Sequence, residues 1–165
     1  MESQMTKRSF LASAAAALGV PLVAACAGRD DGAPAETFEV TKAPEEWRKI
    51  LTPGQYAVLR EESTERSGSS SLNQEHRSGT YACAGCDLPL YRSEAKFESG
   101  TGWPSFTVPI AGAVRTKEDR GLFTARTEVH CRRCGGHLGH VFDDGPAPTG
   151  RRYCMNGVAM KFVAA

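Results

Sequence analysis

Six cysteines are the residues of this sequence best equipped for chemistry, and their spacing sorts them into roles. Cys83 and Cys86 form one C-x-x-C pair and Cys131 and Cys134 a second, each beside glycine or another small residue; this is the ligand count and spacing of a closed tetrahedral zinc site. Soft thiolates select zinc, and four of them leave no coordination position for water, so the expected Zn2+ is structural. The 44 residues between the pairs exceed a zinc-finger spacing, so the metal is expected to clamp two hairpins distant in sequence. Two alternatives stay open from spacing: disulfide pairing in an oxidising compartment, or His137 replacing one cysteine as a ligand.

Cys154 is left over in Arg151-Arg152-Tyr153-Cys154-Met155-Asn156-Gly157, downstream of His137-Leu138-Gly139-His140. A thiol with an ordinary pKa of about 8.5 is a poor nucleophile at neutral pH unless a positive neighbour lowers it. Arg152 is the nearest such group. Protonated His137 or His140 would do the same and then act as general acid, a role typically worth about two to four orders of magnitude. A free cysteine in a strand is usually a small core hydrophobe. Here strand alternation puts Arg152, Cys154 and Asn156 on one face, and a dry core would have to satisfy both the cation and the amide.

The elements that must hold these groups are short. From Pro44, Trp47, Ile50 and Leu51 follow helical spacing with Glu45 and Glu46 in the first turn, and Thr52-Pro53-Gly54-Gln55 reads as a capping box opening a second helix through Tyr56 and Leu59. Residues 67–79 are polar and glycine-rich and read as a long loop. Strands are expected over 80–83 and 88–91, flanking the first knuckle as a hairpin, and over 108–114, 122–129, 141–142 and 153–163. In the last of these the face shared by Arg152, Cys154 and Asn156 continues into Val158, Met160 and Phe162, unless Gly157 marks a bulge. The fold class is therefore mainly β: two antiparallel sheets, small N-terminal helices and a knuckle pair.

The chain has 165 residues, enough for one domain with its own core, so the cysteines do not substitute for one. Residues 1–26 read as a signal peptide: Lys7-Arg8, then an uncharged run shorter than the roughly 20 residues that span a bilayer. Leu22-Val23-Ala24-Ala25-Cys26 looks like a bacterial lipobox, with Cys26 lipidated as the mature N-terminus; the alternative is an ordinary cleaved signal. Thr6-Lys7-Arg8-Ser9-Phe10-Leu11 resembles a twin-arginine export signal with lysine for its first arginine. Either way the expectation is export, to the periplasm or to a membrane-anchored lipoprotein. Residues 27–43, whose first half is rich in Gly, Pro and Asp, read as a flexible tether, and 44–165 as the working domain. Without Glu2, Lys7 and Arg8 the chain carries 18 acidic and 18 basic residues, which argues against a nucleic-acid partner, and the absence of heptads leaves a monomer as the expectation.

Four motifs occur in order: Cys83-Ala84-Gly85-Cys86, Ser99-Gly100-Thr101-Gly102-Trp103-Pro104-Ser105-Phe106, Cys131-Arg132-Arg133-Cys134-Gly135-Gly136-His137-Leu138-Gly139-His140-Val141-Phe142, and Arg152-Tyr153-Cys154-Met155-Asn156. Together they closely resemble the B-type peptide-methionine sulfoxide reductases, which reduce the R epimer, and the resemblance runs from about Trp47 to Phe162. It implies two antiparallel sheets with a structural zinc opposite the active site. It implies Cys154 as the nucleophile, His137, His140 and Asn156 as the polar pocket with Arg152 nearby, and Trp103 and Phe142 as apolar walls. Taken alone, Phe106 reads as core, and Trp103 reads equally as core or as pocket wall. In many relatives the position of Thr101 is a cysteine that resolves the sulfenic acid as a disulfide for a thioredoxin. Threonine there implies regeneration by an external thiol from a thioredoxin-like partner. The rival readings are a zinc-ribbon binding module without catalysis, which would need basic or aromatic stripes, and a disulfide-stapled structural domain.

Overall fold

In the computed structural model, residues 36–120 and 125–165 are described; the expected signal peptide, the lipobox at Cys26 and the first part of the tether lie outside them. Helix α1 (Pro44–Ile50) begins with proline at its first position, and the Glu46 carboxylate accepts the Ala43 amide at 2.8 Å. Helix α2 (Pro53–Glu61) opens with the reciprocal Thr52–Gln55 capping box, Gln55 N donating to Thr52 Oγ1 at 3.3 Å and Thr52 N to Gln55 Oε1 at 3.0 Å. Both helices bury one face, Trp47 from α1 and Val58 and Leu59 from α2.

Among the described residues nine strands follow: β1 (Gly79–Cys83), β2 (Pro89–Arg92), β3 (Lys96–Phe97), β4 (Ser105–Phe106), β5 (Val114–Arg120), β6 (Ala125–Cys131), β7 (His137–Phe142), β8 (Arg152–Met155) and β9 (Met160–Ala164). They build two antiparallel sheets, one in the order β2-β1-β9 and one in the order β3-β4-β8-β7-β6-β5. The mainly β class with two antiparallel sheets and small N-terminal helices is thus what the chain adopts. Between them lies an aromatic core: Tyr91 stacks on Phe106 at 4.3 Å between centroids, Tyr81 meets Phe106 edge-on at 4.9 Å, and the Tyr91 hydroxyl donates to Met155 Sδ at 3.1 Å. Phe106 is fully buried, as its core reading required.

Three strand expectations are corrected. The run 108–114 is not a strand except at Val114; Pro109 lacks an amide hydrogen and Gly112 takes φ +68°, so the chain turns there, with Ala113 N donating to Ile110 O at 3.0 Å. The run 122–129 is described from Ala125, as β6, and ends later, at Cys131; 121–124 lie outside the described residues. The run 153–163 is two strands in different sheets. After Met155 the chain leaves the large sheet, turns through a short 3-10 helix at Gly157–Ala159 and enters the small sheet as β9. Asn156 therefore does not continue the Arg152–Cys154 face, and neither do Val158, Met160 and Phe162. Gly157 sits at the bend, packed so closely that a Cβ there would run into Ser70 and Pro104.

From residue 36 onward the segment expected as tether lies against the second knuckle. Val40 N donates to Arg133 O at 3.0 Å, Glu36 reaches His130 Nε2 at 2.8 Å, and the Phe38 ring lies where a side chain on Gly135 (φ +65°) would stand.

Candidate active site

Antiparallel register lines up the chemistry. Ser105 on β4 pairs with Cys154 on β8, Cys154 with His140 on β7, His140 with Glu128 on β6, and Glu128 with Lys117 on β5. Directly opposed residues share a face, so these five side chains form one row across the large sheet. One pleat along, Arg152 pairs with Phe142 and Asp119 with Arg126, giving a second row beside the first. Gly139 lets β7 and β8 approach this closely; a Cβ there would collide with the Cys154 carbonyl and Met155.

The rows open into a cleft of about 220 Å³ lined by Cys154, His140, Phe142, Asn156, Trp103 and Thr64. A larger groove of about 510 Å³ lies beyond Thr64, between α2 and the loop that follows it, and contains neither thiol nor imidazole, so the chemistry belongs to the smaller cleft. Arg152 donates through Nε and Nη2 to the two Asp144 oxygens, both at 2.8 Å, and its guanidinium lies 4.5 Å over the Phe142 ring. Asp144 and, to a lesser extent, Cys154 raise its pKa further, so it is a permanent cation beside the sulfur, and Asp144 is held below the ordinary carboxylate range by the same pair.

His140 Nε2 lies 2.9 Å from Asp119 Oδ2, which also accepts from Arg126 Nη2 at 2.7 Å. Burial lowers the His140 pKa despite the Asp119 carboxylate, so the neutral ring is favoured. Its bond to Asp119 leaves Nδ1 as the nitrogen for a ligand. His137 does not line the cleft. It is buried behind His140, ring centroids 5.4 Å apart, with Nδ1 3.0 Å from Glu128 Oε1. Asn156 reaches the cleft with its amide largely committed, Nδ2 donating to Leu138 O at 3.1 Å and Oδ1 accepting from Glu65 N at 2.9 Å. Trp103 is fixed by donation from Nε1 to Glu65 O at 3.1 Å. Thr101 Oγ1 stands 3.9 Å from Cys154 Sγ.

Cys83, Cys86, Cys131 and Cys134 converge with all four sulfurs within 4.8 Å of one another. Cys83 and Cys134 are 3.7 Å apart and Cys86 and Cys131 3.5 Å, close to the ~3.8 Å edge of a tetrahedron with Zn–S bonds of ~2.3 Å and well beyond the ~2.05 Å of a disulfide. The set therefore suits a tetrahedral metal ion. His137 points to Glu128, so the cluster among the described residues is four cysteines. Cys83 ends a strand of the small sheet and Cys131 one of the large sheet, so a metal here ties the two together.

Several residues of the site escaped sequence reasoning. Arg126 and Glu128 left a usable signal, charges alternating at period two along β6, whereas Lys117 and Asp119 lie in the continuous charged run Lys117-Glu118-Asp119-Arg120 of β5. Asp144, Thr64 and Glu65 sit in loops with no pattern to mark them.

A β fold with a four-cysteine cluster, opening on a cleft where a thiol stands beside a guanidinium and an imidazole, holds the groups that redox chemistry at sulfur uses. Comparison with known proteins specifies the kind. Residues 51–164 match the SelR domain. A peptide methionine sulfoxide reductase MsrB of Methanosarcina barkeri is 56% identical over 124 residues, 74% of this chain and 87% of the relative. MsrB proteins of Bradyrhizobium diazoefficiens (55%, covering 74% of this chain and 89% of the relative) and Leptospira interrogans (49%, 76% and 96%) are similarly alike. The chain belongs to this SelR-domain, MsrB family.

Proposed function

We propose that the protein reduces the R epimer of methionine sulfoxide in proteins and peptides to methionine at Cys154. The observation that carries this reading is the placement of Cys154 in one cleft with an imidazole and two aromatic walls, with the buried Arg152 guanidinium stacked behind Phe142. A sulfoxide presents a polar S=O and a small methyl group. Trp103 and Phe142 suit the methyl and sulfur, and His140 and the remaining Asn156 amide hydrogen suit the oxygen. Arg152 favours the thiolate.

The Cys154 thiolate attacks the sulfoxide sulfur while the oxygen takes protons from the cleft. Oxygen passes to Cys154 as a sulfenic acid, the S=O bond breaks, and methionine leaves having gained the two electrons that Cys154 lost. Two equivalents of an external thiol then return Cys154 to the thiol, forming their own disulfide and water. Threonine at 101 supports this route, since its hydroxyl cannot form a disulfide. The reductant is a thioredoxin-like partner. The four knuckle cysteines hold a structural zinc that braces the sheets and takes no part at the sulfoxide. The leader supports an exported lipoprotein anchored through Cys26, acting as a monomer.

The test is Cys154→Ser assayed on peptides carrying each methionine sulfoxide epimer, with zinc content measured alongside. Loss of turnover of the R epimer with zinc retained supports the reading. Undiminished turnover sinks it.

A further inference from the structure

Two hollows meet at Thr64. On one side is the cleft that holds Cys154, and on the other the groove of about 510 Å³ between α2 and the loop that follows it; Thr64 lines both. The seam is built from two chain segments laid against each other, Thr64-Glu65 and Asn156-Gly157. Asn156 lines the cleft, Glu65 and Gly157 line the groove, and the Gly157 amide donates to Glu65 Oε1 at 2.6 Å. A molecule with one end in the cleft and a chain running out past Thr64 therefore enters the groove.

The groove has a chemistry of its own. Its deep residues are apolar: Val58 and Met160 are buried, and Leu72 and Val158 pack partly buried against the same core. The hydroxyls of Ser63 and Ser71, both exposed residues, stand at its rim. Glu65 is the one charged side chain lining it among the described residues, and both of its carboxylate oxygens are taken, Oε1 by the Gly157 amide and Oε2 by the Val158 amide at 3.0 Å. An occupant thus meets an apolar floor, a few hydroxyls and no uncommitted charge, in a volume within the roughly 300–1,000 Å³ of ordinary ligand sites. Apolar side chains suit such a floor, and the rim hydroxyls suit the amides and carbonyls of a main chain.

A methionine sulfoxide inside a polypeptide does not enter the cleft alone. Its side chain fills the cleft while the main chain leaves across the margin in both directions. We propose that the groove is the subsite for the polypeptide on one side of the oxidised methionine, holding about three residues, which span ~10 Å when extended, and favouring apolar ones. The inference rests on the reductase reading and adds a specificity-determining surface to it. Apolar flanks are ordinarily buried in a folded protein, so the groove selects oxidised segments that have come out of a core.

The experiment compares kcat/KM for N-acetyl methionine R-sulfoxide methylamide, which has no neighbours, with peptides that extend it by about three valines or leucines toward either terminus, dithiothreitol serving as reductant. The ratio of extended to unextended substrate is the readout, because a variant that folds less well lowers both values together. In the wild type one of the two extensions is expected to raise the ratio about tenfold, the worth of partly burying one apolar side chain, and glutamates in the same places are expected to raise it less.

Two substitutions fill the groove. Gly54 lies in the first turn of α2, where outside its own helix a Cβ would meet only Val158 Cγ2, at 3.5 Å, an ordinary contact; Gly54→Phe adds bulk there and removes a weak helix former. Ser71→Trp adds bulk from the short 3-10 helix Ser71–Gln74. A wild-type gain that falls toward one in either variant supports the proposal. No gain from either extension in the wild type, a gain equally large from glutamates, or a gain intact in both variants overturns it. Absence of wild-type turnover on every substrate strikes the reductase reading instead.

Discussion

Glu65 and Asn156 fasten the loop after α2 to the end of β8: the Glu65 amide donates to Asn156 Oδ1 at 2.9 Å, and the Glu65 carboxylate accepts the next two amides, Gly157 at 2.6 Å and Val158 at 3.0 Å. The same residue's carbonyl receives Trp103 Nε1 at 3.1 Å. One loop residue thereby sets the floor and one wall of the cleft.

Replacing Glu65 by alanine should leave two inward-facing amides without an acceptor. The expected loss is about 1–2 kcal/mol, the lower range for bonds to a charged group because Glu65 is half-buried. Glu65→Gln, which still accepts one amide, should lose less. Denaturant unfolding of the three proteins checks the order, and equal stabilities would show that the clasp contributes nothing.

Thr101→Cys places a second sulfur where Oγ1 now stands 3.9 Å from Cys154 Sγ. After one turnover without reductant, the wild type should carry sulfenic acid at Cys154, and the variant an internal disulfide between Cys154 and the introduced thiol. Intact mass and peptide mapping distinguish them. An internal Cys154 disulfide in the wild type would contradict external regeneration.

Acid should weaken the fold in two stages. Burial sets the His140 pKa below its ordinary 6.5, so as pH falls the unfolded chain takes the proton first, and stability drops from about 6.5 down to the folded value. Glu128, whose carboxyl lies below its ordinary 4.5 because His137 and Lys117 overcome burial, contributes stability that is present above 4.5 and lost as pH falls through its folded value. The urea midpoint should therefore decline twice, with His140→Gln removing the first step and Glu128→Gln the second. A midpoint constant from about pH 7 to 5 would refute the first assignment, and one constant from about pH 5 to 2 the second.

Arg60 guards the cysteine cluster. Its Nη1 donates to Cys134 O at 3.1 Å, Nη2 approaches Cys134 Sγ at 4.0 Å, and the guanidinium lies 4.7 Å over the Trp47 ring. A cation against a metal-bound thiolate reduces its basicity toward protons and competing metals. In Arg60→Met, transfer of zinc to a chromophoric chelator should be about tenfold faster, and chelation of either protein should lower its melting temperature by releasing the clamp between the sheets. Equal transfer rates would remove Arg60 from that role.

The reductase chemistry was legible because its residue types are distinctive and locally spaced. Two C-x-x-C pairs, the His137–His140 step and the Arg152–Cys154 alternation each express themselves within a few residues, and so do the proline-led starts of α1 and α2. Turn chemistry was less legible. Pro109 and Gly112 turned an apolar run away from β structure, and one apparent strand is divided between two sheets at Gly157, where Ser70 and Pro104, distant in sequence, leave no room for a side chain.

The sequence by itself determined which atoms are available: four sulfurs for a metal, one sulfur for attack, imidazoles and a guanidinium to support it. Only the tertiary structure decided which of them meet. His140 and not His137 faces the cleft, and Glu128 and Lys117 stand behind it, because strand register is set by long-range pairing and a slip of one residue would turn every one of these side chains to the other face.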